Sequence, residues 1–257
     1  MLLGAALACS GSLLAHANID VGAGSSVSFA DGRLDLGCSH LSVEGSATGG
    51  SGGVSGVANV VVGAGGSFAP GAGRLTLGGD FSNAGTFTPG TSTVDIVDAC
   101  GGGTSAVSGG TAFYDFAVVT ASGKRLLLPA QLTQSISHAL TLQGAPGELL
   151  QVSSSSAGQQ ALLDVSATAA QSVAYVNARD DKGSGATIAP GSAASHQSVD
   201  AGNLTNWFTD DVGGPGSGTT TVAPAPTLNL MARLALLIGI LLLAWQRRRL
   251  ATTDRQD

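Results

Sequence analysis

One glycine-rich pattern occurs twice in the N-terminal half of the chain, as VGAGSSVSFADGRLDLG over residues 21–37 and as VGAGGSFAPGAGRLTLG over residues 62–78. At a constant offset between the copies, ten of the seventeen positions are identical. Both copies contain an alternation of polar and apolar residues, beginning at Arg33 and at Arg74, which predicts a half-buried strand. An internal repeat of this length indicates stacked structural units, here two turns of about 20 residues each.

The same short alternation recurs further along the chain, over residues 86–88, 93–97, 139–142 and 172–176. No stretch between the two termini carries the apolar spacing of an amphipathic helix. We therefore predict an all-β fold, a right-handed parallel β-helix over residues 18–211 with roughly nine or ten turns. A β-sandwich is the alternative, because evenly spaced strands predict that fold too.

The composition excludes several classes of protein. A hydrophobic fraction of 43% provides enough apolar surface to offset chain entropy, which argues against disorder. With 11 Lys and Arg against 17 Asp and Glu, the chain lacks the basic surface that nucleic-acid binding needs. The 39 glycines follow no three-residue period, which excludes a collagen helix.

The N-terminus has the features of a signal peptide. An apolar run is followed by Ala15-His16-Ala17, the small-x-small pattern at which signal peptidases cut. We predict that residues 1–17 are removed, so that the mature chain begins at Asn18. A buried N-terminal strand is the alternative for this segment.

The C-terminus has the features of a membrane anchor. Residues 212–224 are rich in Gly, Ser, Thr and Pro and predict a disordered linker. Residues 228–245 are almost entirely apolar, and a helix of this length, about 27 Å, crosses a bilayer core. The arginines at 247–249 keep their end cytoplasmic, so residues 251–257 form a cytoplasmic tail and the N-terminal side faces out.

This tail also resembles the IPTL-CTERM sorting domain of bacteria, a tripartite signal similar to PEP-CTERM. The resemblance covers residues 225–250 and rests on Pro226, Thr227 and Leu228, the apolar helix, and the basic cluster of Arg247, Arg248 and Arg249. It implies processing by an exosortase-type membrane enzyme. The chain would then cross the inner membrane once during transit and reach the cell surface or the extracellular space. A plain single-pass anchor is the alternative.

The middle of the chain resembles the β-helical regions of bacterial surface proteins of the filamentous-haemagglutinin and autotransporter-passenger type. The resemblance rests on GDFSNAGTFTPG at residues 79–90, on SGGTAFYDF at residues 108–116, and on Asn206-Trp207-Phe208 near the end of the domain. It implies a repeated surface architecture and no particular activity. We expect Trp207 and Phe208 to cover the last turn, because a solenoid must close its hydrophobic end.

Cys38 and Cys100 are the cysteines that remain after the predicted cleavage. An oxidising compartment favours a disulfide between them. Their separation in sequence corresponds to about three turns, which places equivalent positions about 14 Å apart, too far for a disulfide. The sequence therefore leaves the pairing open.

The acidic doublets Asp180-Asp181 and Asp210-Asp211 are the strongest catalytic candidates. Together with Arg179, the first doublet would serve a β-helical polysaccharide lyase or hydrolase. Both doublets lie among turn-forming residues, so we expect solvated loops instead. His40, His138 and His196 belong to no nucleophile or zinc motif, and each is expected to be an ordinary strand or loop residue.

These observations predict a non-catalytic, exported surface or matrix protein with a structural or adhesive role. We assign no catalytic residue, cofactor or metal ligand. The expected partners are the membrane, an exosortase-type enzyme, and extracellular polysaccharide or other surface proteins, and no nucleic acid. The alternative is a polysaccharide lyase or hydrolase anchored at the cell envelope.

Overall fold

The computed structural model describes residues 13–14 and 18–209, which form an all-β solenoid of about eight turns. The prediction of an all-β solenoid is therefore confirmed. One short 3-10 helix, Ala193–His196, interrupts the strands near the C-terminal end. The strands are β1 (Leu13–Leu14), β2 (Ile19–Val21), β3 (Ser26–Ala30), β4 (Arg33–Val43), β5 (Ser46–Gly49), β6 (Gly53–Val62), β7 (Ser67–Ala69), β8 (Arg74–Leu77), β9 (Phe81–Asn83), β10 (Thr86–Phe87), β11 (Thr93–Val97), β12 (Thr104–Ser108), β13 (Thr111–Val119), β14 (Arg125–Leu128), β15 (Thr133–Gln143), β16 (Leu150–Ser154), β17 (Ala161–Val165), β18 (Ala170–Ala174), β19 (Val176–Arg179), β20 (Asp181–Gly185), β21 (Val199–Asp200) and β22 (Leu204–Thr205).

Several predicted segments lie outside the described residues. They are most of the signal peptide, including Ala15 and Ala17, and everything from residue 210 onward: the second acidic doublet, the linker, the sorting motif, the apolar segment 228–245 and the arginines. Within residues 13–14 and 18–209, no helix is long and apolar enough to span a membrane. Leu13–Leu14, inside the predicted signal peptide, pairs in parallel with β4.

Every pairing between the strands is parallel and joins neighbouring turns, so the β-sandwich alternative is wrong for the described residues. Arg33 pairs with Gly53, and Gly53 pairs with Arg74. The two copies of the sequence repeat therefore lie two turns apart, as predicted. One inward column runs through the turns and consists of Leu34, Val54, Leu75, Val94, Phe116 and Leu140.

Turn length increases through the middle of the chain. Thr93 pairs with Asp115, Asp115 with Ala139, and Ala139 with Ala170, so each of these turns is longer than the one before it. The extra residues lie in the corners between strands. They explain why the chain forms about eight turns instead of the larger number that a constant turn length predicts.

The interior is packed with aliphatic columns and, at its middle, with a cluster of phenylalanine rings. Neighbouring rings in this cluster have centroids 4.7–5.9 Å apart, mostly in edge-to-face arrangements. Such pairs add stability beyond the apolar area they bury. The cluster comprises Phe68, Phe81, Phe87, Phe113 and Phe116.

Glycine at the corners lets successive turns approach closely. A Cβ added to Gly73 would lie 1.9 Å from the carbonyl oxygen of Gly52 in the preceding turn. At another corner Gly90 has a φ of +57°, and a Cβ there would lie 2.3 Å from the carbonyl oxygen of Gly71. The high glycine content therefore follows from stacking turns about 4.8 Å apart through tight corners.

A ladder of polar side chains runs along one corner, immediately before the strands or strand segments that begin at Ile19, Leu41, Val60 and Phe81. Asn18 Oδ1 accepts the N–H of His40 (3.1 Å), and Asn59 Oδ1 accepts the N–H of Asp80 (2.6 Å). Asn59 Nδ2 also lies 3.0 Å from His40 Nδ1, and Asp80 Oδ1 accepts the N–H of Ala106 (2.8 Å). This corner ladder therefore joins five successive turns through side chains.

The predicted strand over residues 172–176 is wrong in one respect. β18 ends at Ala174 and β19 begins at Val176, and Tyr175 between them has a φ of +54°. The chain turns a corner at this residue, which the alternation of side chains does not reveal.

Candidate functional site

A network of charged and aromatic side chains covers one outer face over four successive turns. Arg74 lies on β8, Asp95 on β11, Tyr114 and Asp115 on β13, and His138 on β15. Parallel register brings residues from neighbouring turns to about 4.8 Å, so side chains far apart in sequence meet here. We call these five residues the ring-and-carboxylate face.

Arg74 and Asp95 form an ion pair at one end of this face. Arg74 Nε and Nη2 both donate to Asp95 Oδ2, at 3.1 and 2.8 Å. The arginine side chain is 61% exposed, whereas that of Asp95 is 10% exposed. Asp95 Oδ1 is buried and accepts no hydrogen bond among the described residues.

Asp115 connects its own turn to the turn before it and to the turn after it. Its Oδ2 accepts a hydrogen bond from Thr93 Oγ1 (3.3 Å), and its Oδ1 lies 2.6 Å from His138 Nδ1. A carboxylate at this distance fixes the proton on Nδ1, so in the neutral ring Nε2 is the acceptor. The His138 side chain is 56% exposed, and its ring stacks on Tyr114 with centroids 4.4 Å apart and planes 9° apart.

The sequence alone gives little sign of this face. It presents His138 as an isolated residue, and it singles out neither Asp95 nor Asp115. The alternation over residues 93–97 does place Thr93 and Asp95 on the same side of a strand. The alternation does not reveal that the next two turns are longer, or that the register shifts between Phe113 and Asp115.

The predicted doublet Asp180-Asp181 does not form an exposed carboxylate pair. The expectation of a solvated loop is wrong here, because the chain turns at Asp180 (φ +54°) and directs Asp181 into the core, so that both residues are buried. Asp180 accepts a hydrogen bond from Asn203 Nδ2 (2.6 Å) and forms an ion pair with Arg179 Nε (3.3 Å). The Asn203 hydrogen bond, the largest influence, lowers the pKa of Asp180.

Asp181 has no exposed surface, and neither of its carboxylate oxygens makes a hydrogen bond of good geometry. The indole N–H of Trp207 faces it and is also without an acceptor of good geometry. Burial raises the pKa of Asp181 to about 8, although the nearby Trp207 opposes that shift. Trp207 and Phe208 are themselves buried in the last turn, in the position expected for a cap.

A disulfide joins Cys38 and Cys100, with the Cα atoms 5.2 Å apart. The argument from turn spacing does not apply, because neither cysteine occupies a regular rung position. Cys38 lies where β4 bulges outward, between Asp35 and Ser39. Cys100 lies in the loop 98–103, which joins β11 to β12 and packs back on the preceding corner at Gly78.

Lys124 holds the same loop from inside. Its Nζ donates to the carbonyl oxygens of Gly78 (2.7 Å) and Gly102 and to Ser105 Oγ (3.2 Å). Burial lowers the pKa of Lys124, although two nearby carboxylates favour its charged form. The loop 98–103 is thus fixed by a covalent bond at its outer side and by a buried ammonium at its inner side.

Asp98 fixes the start of this loop to the next turn. It accepts hydrogen bonds from Thr120 Oγ1 (2.8 Å) and from the backbone N–H groups of Ala121 (2.7 Å) and Ser122 (3.1 Å). Burial raises the pKa of Asp98, but these donors together outweigh it, so the net shift is downward.

The remaining histidines have structural partners. His40 belongs to the corner ladder, and His196 lies within hydrogen-bond distance of the carbonyl oxygens of Val173 (3.0 Å) and Pro190 (3.1 Å). In the part of the chain that the structure describes, no group of three or more His, Cys, Asp or Glu could hold a metal ion. One cavity near the N-terminal turns, lined in part by Phe29 and Phe68, has a volume of about 10 Å³, enough for one water at most.

Comparisons with known proteins add no assignment at this point. No protein-family model matches the chain, and neither a curated protein nor a solved structure matches it.

Proposed function

We propose that this chain is a non-catalytic, exported surface or matrix protein, whose β-helix acts as a structural or adhesive module and whose C-terminus carries a sorting signal. The winding is right-handed in this proposal, as parallel strand connections almost always are. The C-terminal segment 228–245 spans the inner membrane once during transit, with the arginines at 247–249 in the cytoplasm. An exosortase-type enzyme then processes the region around Pro226, Thr227 and Leu228.

One observation carries the structural role: the polar side chains mainly bind the neighbouring turns. Their hydrogen bonds join residues roughly one turn apart at several places around the solenoid. Examples are Asp31 with Ser51, Asp164 with Ser184, and Thr187 with Asn206. A chain that uses its polar groups to stack turns builds a stiff rod with long surfaces.

The disulfide supports the exported location. Disulfides such as Cys38–Cys100 persist in oxidising compartments and are rare in the bacterial cytoplasm. The acidic balance, formal net charge −6, keeps an extended β protein soluble and its edges apart from those of other copies.

Fractionation with intact-mass analysis of the full chain in a Gram-negative host tests this proposal. We expect a mature mass that begins at Asn18, a mass about 2 Da lower than that of the reduced chain from the disulfide, and recovery with envelope or extracellular material. Deletion of residues 226–257 should release the chain from membranes, whereas deletion of residues 251–257 alone should not. An unprocessed, reduced chain in the cytoplasmic fraction would overturn the proposal.

A further inference from the structure

The ring-and-carboxylate face concentrates groups that are scarce in this protein. Charged residues make up 11% of the chain and aromatic residues 4%, and most of the aromatic rings are in the core. Of the two arginine–carboxylate ion pairs formed by residues 18–209, one lies here, Arg74–Asp95, beside the contact between Asp115 and His138 Nδ1. One of the two tyrosines, Tyr114, stacks on the exposed ring of His138 in the same place.

Stacking of turns does not explain the whole arrangement. The hydrogen bonds from Arg74 engage only one oxygen of Asp95, and the other oxygen is buried without a donor among the described residues. The residue is 7% exposed, so this oxygen lacks compensation from bulk water. A buried acceptor left unpaired is unfavourable for folding, so the stacking of turns alone does not account for Asp95 at this position.

The chemistry of the face suits a polyhydroxylated, uncharged ligand. Tyr114 covers one face of the His138 ring and holds it in place, and the exposed part of the His138 ring provides a flat surface on which the C–H face of a sugar ring can pack. The partly exposed carboxylate of Asp115 accepts hydrogen bonds from hydroxyl groups, and the exposed guanidinium of Arg74 donates them. Two carboxylates against one permanent cation disfavour acidic polysaccharides and nucleic acids.

We propose that the ring-and-carboxylate face binds neutral saccharide units of an extracellular glycan. This inference names a partner for the adhesive role proposed above. It rests on the proposed function only for the extracellular location of the chain. The face extends over four turns, about 14 Å along the axis, which fits a short oligosaccharide. Binding by one copy is weak, and many copies along one polysaccharide bind through avidity.

Binding of soluble oligosaccharides by the full, disulfide-bonded chain tests the proposal. The probes are a neutral β-glucan hexamer, a neutral mannan hexamer and an oligogalacturonate, titrated by calorimetry and by NMR. We expect at least one neutral probe to bind and the oligogalacturonate to bind at least tenfold more weakly. Tyr114→Ala and His138→Ala should each weaken neutral binding about fivefold to tenfold.

Matched control variants are available on the same molecule. Arg33 is exposed in the same strand column as Arg74, two turns away, so Arg33→Ala controls for Arg74→Ala. His40 is an exposed histidine at a different corner, so His40→Ala controls for His138→Ala. Only the variants on the ring-and-carboxylate face should lose binding, and Arg74→Ala keeps the test valid if Tyr114→Ala does not fold.

Three outcomes would overturn this inference: no binding of either neutral probe, preference for the oligogalacturonate, or equal losses in the face variants and their controls. The fractionation experiment tests the proposed function separately from this inference. A chain that reaches the envelope but binds no neutral saccharide removes the glycan site and leaves the structural role. A chain retained in the cytoplasm removes the proposed function even if the purified protein binds sugar.

Discussion

The first and last turns of this solenoid follow the same architecture with different regularity. Gly53, Arg74 and Thr93 each pair with the equivalent residue one turn earlier, beginning from Arg33, and these turns are nearly equal in length. Beyond Thr93 the turns become longer as far as Ala170 and then shorten again, and no copy of the repeat is apparent. The inward columns nevertheless continue, so this fold needs a constant register of strands and tolerates variable corners.

The two regions also differ in the contacts that stabilise them. The N-terminal turns are held by the Cys38–Cys100 disulfide and by Lys124, both acting on the loop 98–103. The C-terminal turns end in a buried aromatic and acidic group, with Trp207 against Asp181. The stability of the N-terminal turns should therefore depend on redox conditions, and that of the C-terminal turns on pH. The following predictions test the two dependences separately.

The largest effect is expected from the double substitution Cys38→Ala, Cys100→Ala. Removing a cross-link between residues 62 positions apart should lower the free energy of unfolding by about 4 kcal/mol, because the unfolded chain regains loop entropy. Denaturant unfolding measures the loss, and hydrogen exchange should place it mainly before residue 104. Reductant should destabilise the wild-type chain similarly and leave the double variant unchanged. Equal stability of oxidised and reduced wild-type protein would contradict this prediction.

Asp181 should make the other end sensitive to pH. Its pKa is about 8 in the folded chain against an ordinary value of 3.8, so the folded state holds a proton that the unfolded state has released between these values. Its contribution to stability is therefore complete below about pH 4 and is lost as the pH rises towards 8. Within this window the folding equilibrium constant should fall by up to about tenfold per pH unit.

The variant Asp181→Asn tests that dependence. It should flatten the stability profile between pH 5 and 8, and it should be more stable than the wild type at pH 8. Asp164→Asn is the matched control, because this acid lies on the neighbouring strand β17 and its carboxylate is bound by Ser184. A wild-type profile that rises from pH 5 to 8, with hydrogen exchange near Trp207 slowing, would refute the assignment.

Gly73→Ala should disturb the stacking of the regular turns. The new Cβ would meet the carbonyl oxygen of Gly52 at 1.9 Å, so the two turns must separate locally, at an expected cost of about 2 kcal/mol. Gly22→Ala is the control, since no atom lies within 4 Å of its added Cβ. Equal melting temperatures for the two variants would show that the corners are looser than the structure indicates.

The difference between the two regions also marks what could be predicted from the sequence. The strand columns through Leu34 and Leu75 follow from the internal repeat, because equal turn lengths place equal residues above one another. Where turn lengths change, this reasoning fails. It misses the corner at Tyr175, and it places Asp181 in solvent although the turn at Asp180 directs its side chain into the core.

The candidate site escapes prediction for the same physical reason. Asp115 and His138 meet only because the turn between them is lengthened and the register shifts beside Tyr114. Neither the length of a corner nor the position of a bulge is encoded in the alternation of polar and apolar residues. The disulfide escapes prediction for the same reason, since Cys38 lies at a bulge and Cys100 lies in a corner loop.

The smallest predicted effect concerns the corner ladder. Asn59→Ala removes one acceptor for the Asp80 N–H and one contact with His40, both at an exposed corner, so we expect a loss of about 1 kcal/mol. Asn59→Asp keeps the acceptor and should recover most of that loss. Hydrogen exchange of the Asp80 amide measures the effect at its source.

The ladder also bears on how the regular turns stay in phase. In its described part the ladder joins Asn18 to Asp80 through turns of nearly equal length, and it continues to Ala106 across the turn that contains the loop 98–103. A side chain that accepts the backbone N–H of the next turn fixes one residue of that turn at one corner, and insertions must then occur elsewhere. If this is correct, inserting one glycine after Asp80 should destabilise the protein more than inserting one after Gly101, in the long corner loop. Equal tolerance of the two insertions would show that the apolar columns alone set the register.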